Sequence, residues 1–252
     1  MQLQFATAHR MVFVAIVLAL IGCKPERAAR QHSPTIFARQ QLSEMLAAGV
    51  GEELIIEHAL LVDDDLELLE KAPQLQRVEI RDNKLPLGDA AFAHLAKLPN
   101  LEWINVSARE LTDEGVALAA KLPKLRILNL HATRISDAGL QSLAPLEHLE
   151  LLRFGSPHAT DAGMEHIAAI KSLRFLHLID VPITDDGLKT IAGMPQLESF
   201  YLDGGNTTDE GLSALVKARP DLHFHQDQQH LYDDPWRSDH GHGEGHAHSH
   251  DE

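Results

Sequence analysis

One apolar phrase, Leu-x-x-Leu-x-Leu with other apolar side chains at some of its positions and proline two residues ahead of it in four of six copies, returns along this chain with a nearly fixed period. That period restricts the possible folds more than any other feature. Its leading leucine stands at Leu75, Leu101, Leu125, Leu149, Leu173 and Leu197, at intervals of 26, 24, 24, 24 and 24 residues. One period before Leu75 lies Gly51, after which Leu54 and Ile56 keep the pattern, and Leu222-His223-Phe224 reads as a closing strand. A second phrase recurs halfway through each period: Leu111-Thr112-Asp113-Glu114-Gly115, Ile135-Ser136-Asp137-Ala138-Gly139, Ala159-Thr160-Asp161-Ala162-Gly163, Ile183-Thr184-Asp185-Asp186-Gly187 and Thr207-Thr208-Asp209-Glu210-Gly211.

The two phrases predict two elements per repeat. Apolar residues two apart suit a short strand with one buried face. Thr or Ser followed by Asp is a helix N-cap with a carboxylate in the first turn. Apolar residues then follow at helical spacing, as in Leu188, Ile191 and Ala192. Prolines at 73, 99, 123, 195 and 220 stop the helix before the next strand in those repeats. Neither element can bury its apolar side alone, so neighbouring repeats must stack on one continuous core.

These residues resemble the leucine-rich repeat family over about residues 51–225, in some seven copies, with the ribonuclease-inhibitor-like type as the nearest pattern. The resemblance implies an α/β solenoid: a right-handed βα horseshoe with a parallel sheet on the concave face and helices on the convex face. The family usually carries Asn or Cys eight residues after the leading leucine, bonding the backbone of the loop. Here those positions are Ala59, Asn83, Arg109, Thr133, Pro157, Val181 and Gly205. Only Asn83 conforms, which predicts less regular loops after the strands.

Ahead of the repeats, Arg10 precedes an apolar run from Met11 to Gly22. As a helix this run rises about 18 Å, short of the ~30 Å hydrocarbon core, so a cleaved export signal fits better than a permanent span. It ends Leu20-Ile21-Gly22-Cys23 and resembles a bacterial lipoprotein signal, covering residues 1–22. The resemblance implies cleavage before Cys23 and lipidation there. The alternative is a simple signal with an incidental cysteine. Lys24, rather than Asp, at the next position implies the outer membrane if the cell has one, on its periplasmic side or at the cell surface. Residues 23–50 read as a polar tether and then a short capping helix, begun by Ser33-Pro34 and striped by Ala38, Leu42, Met45 and Leu46.

The residues between the leucines face outward from the strands. The second-offset row contains Trp103, Ile127, Leu151 and Phe175 on four successive strands, and the fourth-offset row contains Arg153, His177 and Tyr201. A contiguous apolar row of about 15 Å is a candidate surface for a protein or peptide partner. The other reading has the row lean into the edge of the core or lie under the tail.

Composition argues against other classes. A formal charge of −15, from 22 Lys+Arg against 37 Asp+Glu, disfavours nucleic acid. The single cysteine excludes an internal disulfide and a four-cysteine zinc site. No nucleophile elbow, zinc-protease helix or phosphate-binding glycine loop appears, so an enzyme is not expected and no cofactor is implied. His131 and His177 lie two repeats apart, roughly 10 Å or more, too far to share an ion at ~2 Å bonds. The repeated Asp residues and the Asp63-Asp64-Asp65 cluster fit helix capping better than calcium. Periodicity ends at residue 226, and the tail, 226–252, holds His240, His242, His246, His248 and His250 among Gly, Ala and Ser. Such a segment forms no core. It either stays solvated or chelates Zn²⁺, Ni²⁺ or Cu²⁺. Leu231, Tyr232 and Trp236 in the same tail offer apolar cover for the end of the core.

Overall fold

The structure, a computed structural model, describes residues 34–227. Cys23, the apolar run before it and the histidines from His240 onward lie outside the described residues, as do Leu231, Tyr232 and Trp236.

Helix α1 (Pro34–Ala48) opens the described chain, followed by β1 (Glu53–Glu57), a 3₁₀ helix (Asp63–Lys71), β2 (Arg77–Arg81) and α2 (Asp89–Leu95). Then come β3 (Trp103–Ser107), α3 (Asp113–Ala119), β4 (Ile127–His131), α4 (Asp137–Ser142), β5 (Leu151–Gly155) and α5 (Asp161–Ala168). The series closes with β6 (Phe175–Ile179), α6 (Asp185–Ala192), β7 (Ser199–Asp203), α7 (Asp209–Ala218) and β8 (His223–Gln226). The eight strands form one parallel sheet in chain order, and each helix packs on the helix of the next repeat.

The two rows meet over a single core. The six leading leucines are at most 1% exposed, and the inward strand residues, from Val78 and Ile80 to Phe200 and Leu202, are buried with them. Each fully buried Leu or Ile contributes roughly 1.5–3 kcal/mol, which is how repeats this short hold together without disulfides. Helix α1 covers the N-terminal end through Ala38 and Leu42, with Met45 and Leu46 partly buried beside them. Its Arg39 donates to the Asp64 carbonyl at 2.8 Å and to Asp65 Oδ1 at 3.2 Å, pinning the cap to the 3₁₀ helix.

The halfway phrase does more than cap its own helix. The Thr or Ser hydroxyl accepts from the backbone two residues on, as in Ala162 N to Thr160 Oγ1 at 3.3 Å, or three on at Thr208, from Gly211 N at 3.1 Å. The Asp beside it reaches into the next repeat. Asp161 Oδ1 accepts from Thr184 N at 2.8 Å, and Oδ2 accepts from the Thr184 hydroxyl at 2.6 Å. Asp89, Asp113, Asp137 and Asp185 repeat the arrangement with Thr112, Ser136, Thr160 and Thr208. Asp63 begins the series, accepting from Gly88 N at 2.9 Å. These donors hold the Asp185 carboxyl below the usual range, Thr208 N–H contributing most. Each rung from Asp89 onward also meets a glycine in the following helix, whereas Ala91 holds that position after Asp63. A Cβ on Gly187 would lie 2.5 Å from Asp161 Oδ1, so a larger residue there would displace the carboxylate from its rung.

The loops after the strands are heterogeneous, as the missing Asn residues imply. Asn83 is buried and bonds the loop on both sides, accepting from Leu61 N and donating to the carbonyls of Leu61 and Leu85 at 2.8–2.9 Å. Thr133 substitutes one hydroxyl, donated to Gly155 O at 2.9 Å, while Ala59 and Val181 are buried apolar fillers. The 26-residue interval is absorbed between Asn83 and Gly88, in a longer connection to α2. Immediately after the strands the backbone turns through the left-handed region at His58, Asp82, Ala132, Asp180 and Asp227, and through glycine only at Gly204.

Candidate functional site: the open face of the sheet

Parallel register fixes the rows on the sheet's open face. Trp103 pairs with Ile127, Ile127 with Leu151, and Leu151 with Phe175. Trp103, Ile127 and Leu151 are half-buried, whereas Phe175 is 40% exposed. The Arg77 guanidinium lies 3.9 Å over the Trp103 ring, a cation–π contact that covers one side of the indole. Trp103 Nε1 is buried with no hydrogen-bond partner among the described residues. At this end Glu79, 0% exposed, is held by Arg77 and Arg81 and accepts from Asn105 Nδ2 at 3.2 Å. A carboxylate so deep in the sheet is tolerable only because both guanidinium groups reach it.

The fourth row carries the chemistry at the other end. Arg153 Nε donates to His177 Nδ1 at 3.0 Å, and His177 Nε2 lies 2.8 Å from Asp203 Oδ2. With Nδ1 accepting, the neutral ring carries its proton on Nε2 and donates it to Asp203. Arg153 also reaches Asn129 Oδ1 at 3.4 Å and His131 Nε2 at 2.9 Å. Gly155, the next outward residue on β5, has no side chain to block that reach. His131 and His177 thus converge on one guanidinium, which their sequence separation does not suggest, because spacing counts strands and omits the length of an arginine. Burial lowers the pKa of both rings. At His131 the nearby Arg153 and His177 add to this, and at His177 the bond to Asp203 partly offsets it. Among the described residues no three His, Cys, Asp or Glu side chains are placed to hold a metal ion.

Tyr201 continues the row. Its ring lies 5.4 Å from His177 and stacks on His225 at 4.6 Å, with His223 edge-on to both Tyr201 and His225. Sequence reading missed His223 and His225, because taking Leu222 as the leading residue shifts the register by one; counting 24 residues from Ser199 and Tyr201 puts them in the second and fourth rows. A groove of ≈630 Å³ lies between these rows, lined by Leu151, Phe175 and Leu176 on one side and by Arg153, His177 and Tyr201 on the other. Ser199, Glu198, Asp221 and His223 complete its walls.

A family model described as "Leucine Rich repeat" matches residues 121–144, one period running from the end of α3 to the end of α4. Among solved structures, internalin C2 from Listeria monocytogenes is similar at 22% identity, with a TM-score of 0.52 over 69% of this chain and 70% of that one. The molecule is a leucine-rich-repeat solenoid. No curated protein matches the chain. In this solenoid the open sheet face displays seven of the residues singled out from sequence: Trp103, Ile127, Leu151, Phe175, Arg153, His177 and Tyr201. The first four form one row, and the last three line its groove. No helix among the described residues is long and apolar enough to cross a membrane.

Proposed function

We propose that this protein is a non-enzymatic interaction scaffold that binds a protein or peptide across the open face of its sheet. Leucine-rich-repeat solenoids generally serve as such scaffolds, and the reading is supported most directly by the unbroken Trp103–Ile127–Leu151–Phe175 row bordering an apolar groove. The Arg153–His177–Asp203 chain supplies directional polar contacts beside it, the combination that lends specificity to an apolar surface. The proposal extends to an exported chain, lipid-anchored through Cys23 at a bacterial cell envelope, on the strength of the Leu20-Ile21-Gly22-Cys23 ending.

Crosslinking in intact envelopes followed by mass spectrometry identifies the partner. Its capture is then compared for the native chain and for Trp103→Ala and Phe175→Ala. Loss of capture in both variants is expected, and undiminished capture removes the row from consideration. Fractionation of a Cys23→Ser variant tests the anchor, which predicts release from the membrane fraction.

A further inference from the structure

A second cavity opens on the same sheet face, at the loop end of β2 to β5, with a volume of ≈560 Å³. Its character is opposite to that of the apolar groove. Four cations line it, Arg81, Lys84, Arg109 and Arg153, against two carboxylates, Glu57 and Asp82. Glu57 is paired with Arg81 at 3.1 Å, while Asp82, largely exposed at the rim, lies 3.3 Å from His58 Nδ1. Glu79 beneath is neutralised by Arg77 and Arg81, and Glu110 at the adjoining rim is taken by Arg134. Lys84 and Arg109 have no hydrogen-bond or ion-pair partner for their side chains among the described residues, and Arg153 touches only neutral groups, His131, His177 and Asn129. Three cations without a direct carboxylate contact, Lys84, Arg109 and Arg153, therefore face one cavity against the single unpaired rim carboxylate Asp82, in a chain of net charge −15.

Neutral donors surround them. Asn129 uses its Oδ1 to accept from Arg153, which leaves its amide N–H groups available, and the Ser107 hydroxyl has no partner among the described residues. Guanidinium and ammonium groups beside amide and hydroxyl donors recognise oxyanions, and the volume is that of a small-molecule site.

We infer that this cavity binds a small ligand bearing more than one oxyanion group, a phosphate ester or a polycarboxylate, through Lys84, Arg109 and Arg153. The site shares Arg153 with the apolar groove but no other lining residue, and it does not rest on the docking proposal.

Titration calorimetry on the purified full chain at neutral pH and low salt tests it, with inorganic pyrophosphate and citrate as probes. At that pH the tail histidines are largely neutral. Saturable binding with Kd below about 1 mM is expected for at least one probe. A Lys84→Ala/Arg109→Ala variant is expected to weaken binding at least about tenfold, as loss of charge-assisted contacts does. Both side chains are exposed, so the fold tolerates their removal. Lys121→Ala, which removes an exposed charge after α3 and outside the cavity, leaves binding unchanged. Binding of pyrophosphate alone assigns phosphoryl ligands, citrate alone assigns carboxylates, and both assign oxyanions in general. Absence of binding by either probe, an unaffected double variant, or equal loss in Lys121→Ala overturns the inference. Phe175→Ala leaves this binding intact, so the two proposals fail separately.

Discussion

Asp137 accepts both the backbone N–H and the hydroxyl of Thr160, 23 residues on, at 2.7 Å each. The carboxylate opening one helix therefore completes the N-terminus of the next. Replacing it with alanine leaves those donors without their partner and removes two charge-assisted bonds. Asp137→Ala is expected to lose about 1.5–3 kcal/mol in urea unfolding at pH 7. A loss under about 0.5 kcal/mol, the range of ordinary surface changes, would mean that water serves the donors as well.

Gly163 is bound to the same rung. A Cβ there would stand 2.5 Å from Asp137 Oδ1 and 2.7 Å from Leu140 Cδ1. Gly163→Ala is expected to destabilise by about 1–3 kcal/mol, as overpacking does. In an Asp137→Ala background the penalty shrinks, since one of the two obstructing groups is gone. A double-mutant cycle reads this as coupling of about 0.5 kcal/mol or more, whereas strict additivity would separate glycine from carboxylate.

Ala132 follows β4 with φ at 49°, a conformation that costs an alanine about 1–2 kcal/mol and a glycine almost nothing. The equivalent position after β7 is Gly204. Ala132→Gly is expected to gain about 0.5–1 kcal/mol, the relief of strain exceeding the added entropy of the unfolded chain. Thermal unfolding of the variant measures it, and a lower melting temperature refutes it.

His131 and His177 are half-buried beside Arg153, and both have lowered pKa values. The unfolded chain therefore binds more protons than the folded one as pH falls below the ordinary histidine range near ~6.5. Their contribution to stability is complete above that pH and is lost as pH drops towards their folded values. Protonating His177 also puts a proton on Nδ1, where Arg153 Nε already donates, with Asp203 and Tyr201 the other groups against the ring. A His131→Asn/His177→Asn variant is expected to show a flatter stability profile between pH 7 and about pH 5 than the native chain. Parallel profiles would locate the pH sensitivity elsewhere.

The repeat was legible because its period, its leucines and its Thr-Asp-x-Gly phrase each describe a local requirement that every copy shares. The row from Trp103 to Phe175 followed from counting, since parallel strands of equal spacing bring equal offsets side by side. What counting missed depends on side-chain reach. Asp161 reads as a cap for its own helix, but its carboxylate spans to Thr184. Arg153 gathers His131 and His177 from two other strands. The cation-lined cavity draws Lys84 and Arg109 from the loops after β2 and β3, and although Arg109 holds the eighth offset, the repeat pattern does not show that the two side chains face one cavity.

The Asp rungs all run in one direction. Every helix start from α2 to α7 draws a carboxylate from the repeat before it, and Asp209, the last, serves no later helix among the described residues. Shortening the molecule from its two ends is therefore not equivalent. Cutting from the C-terminal side removes carboxylates whose recipients leave with them. Cutting from the N-terminal side strands a helix start whose acceptor has gone, so the rod has a head that must be kept and a foot that can be trimmed.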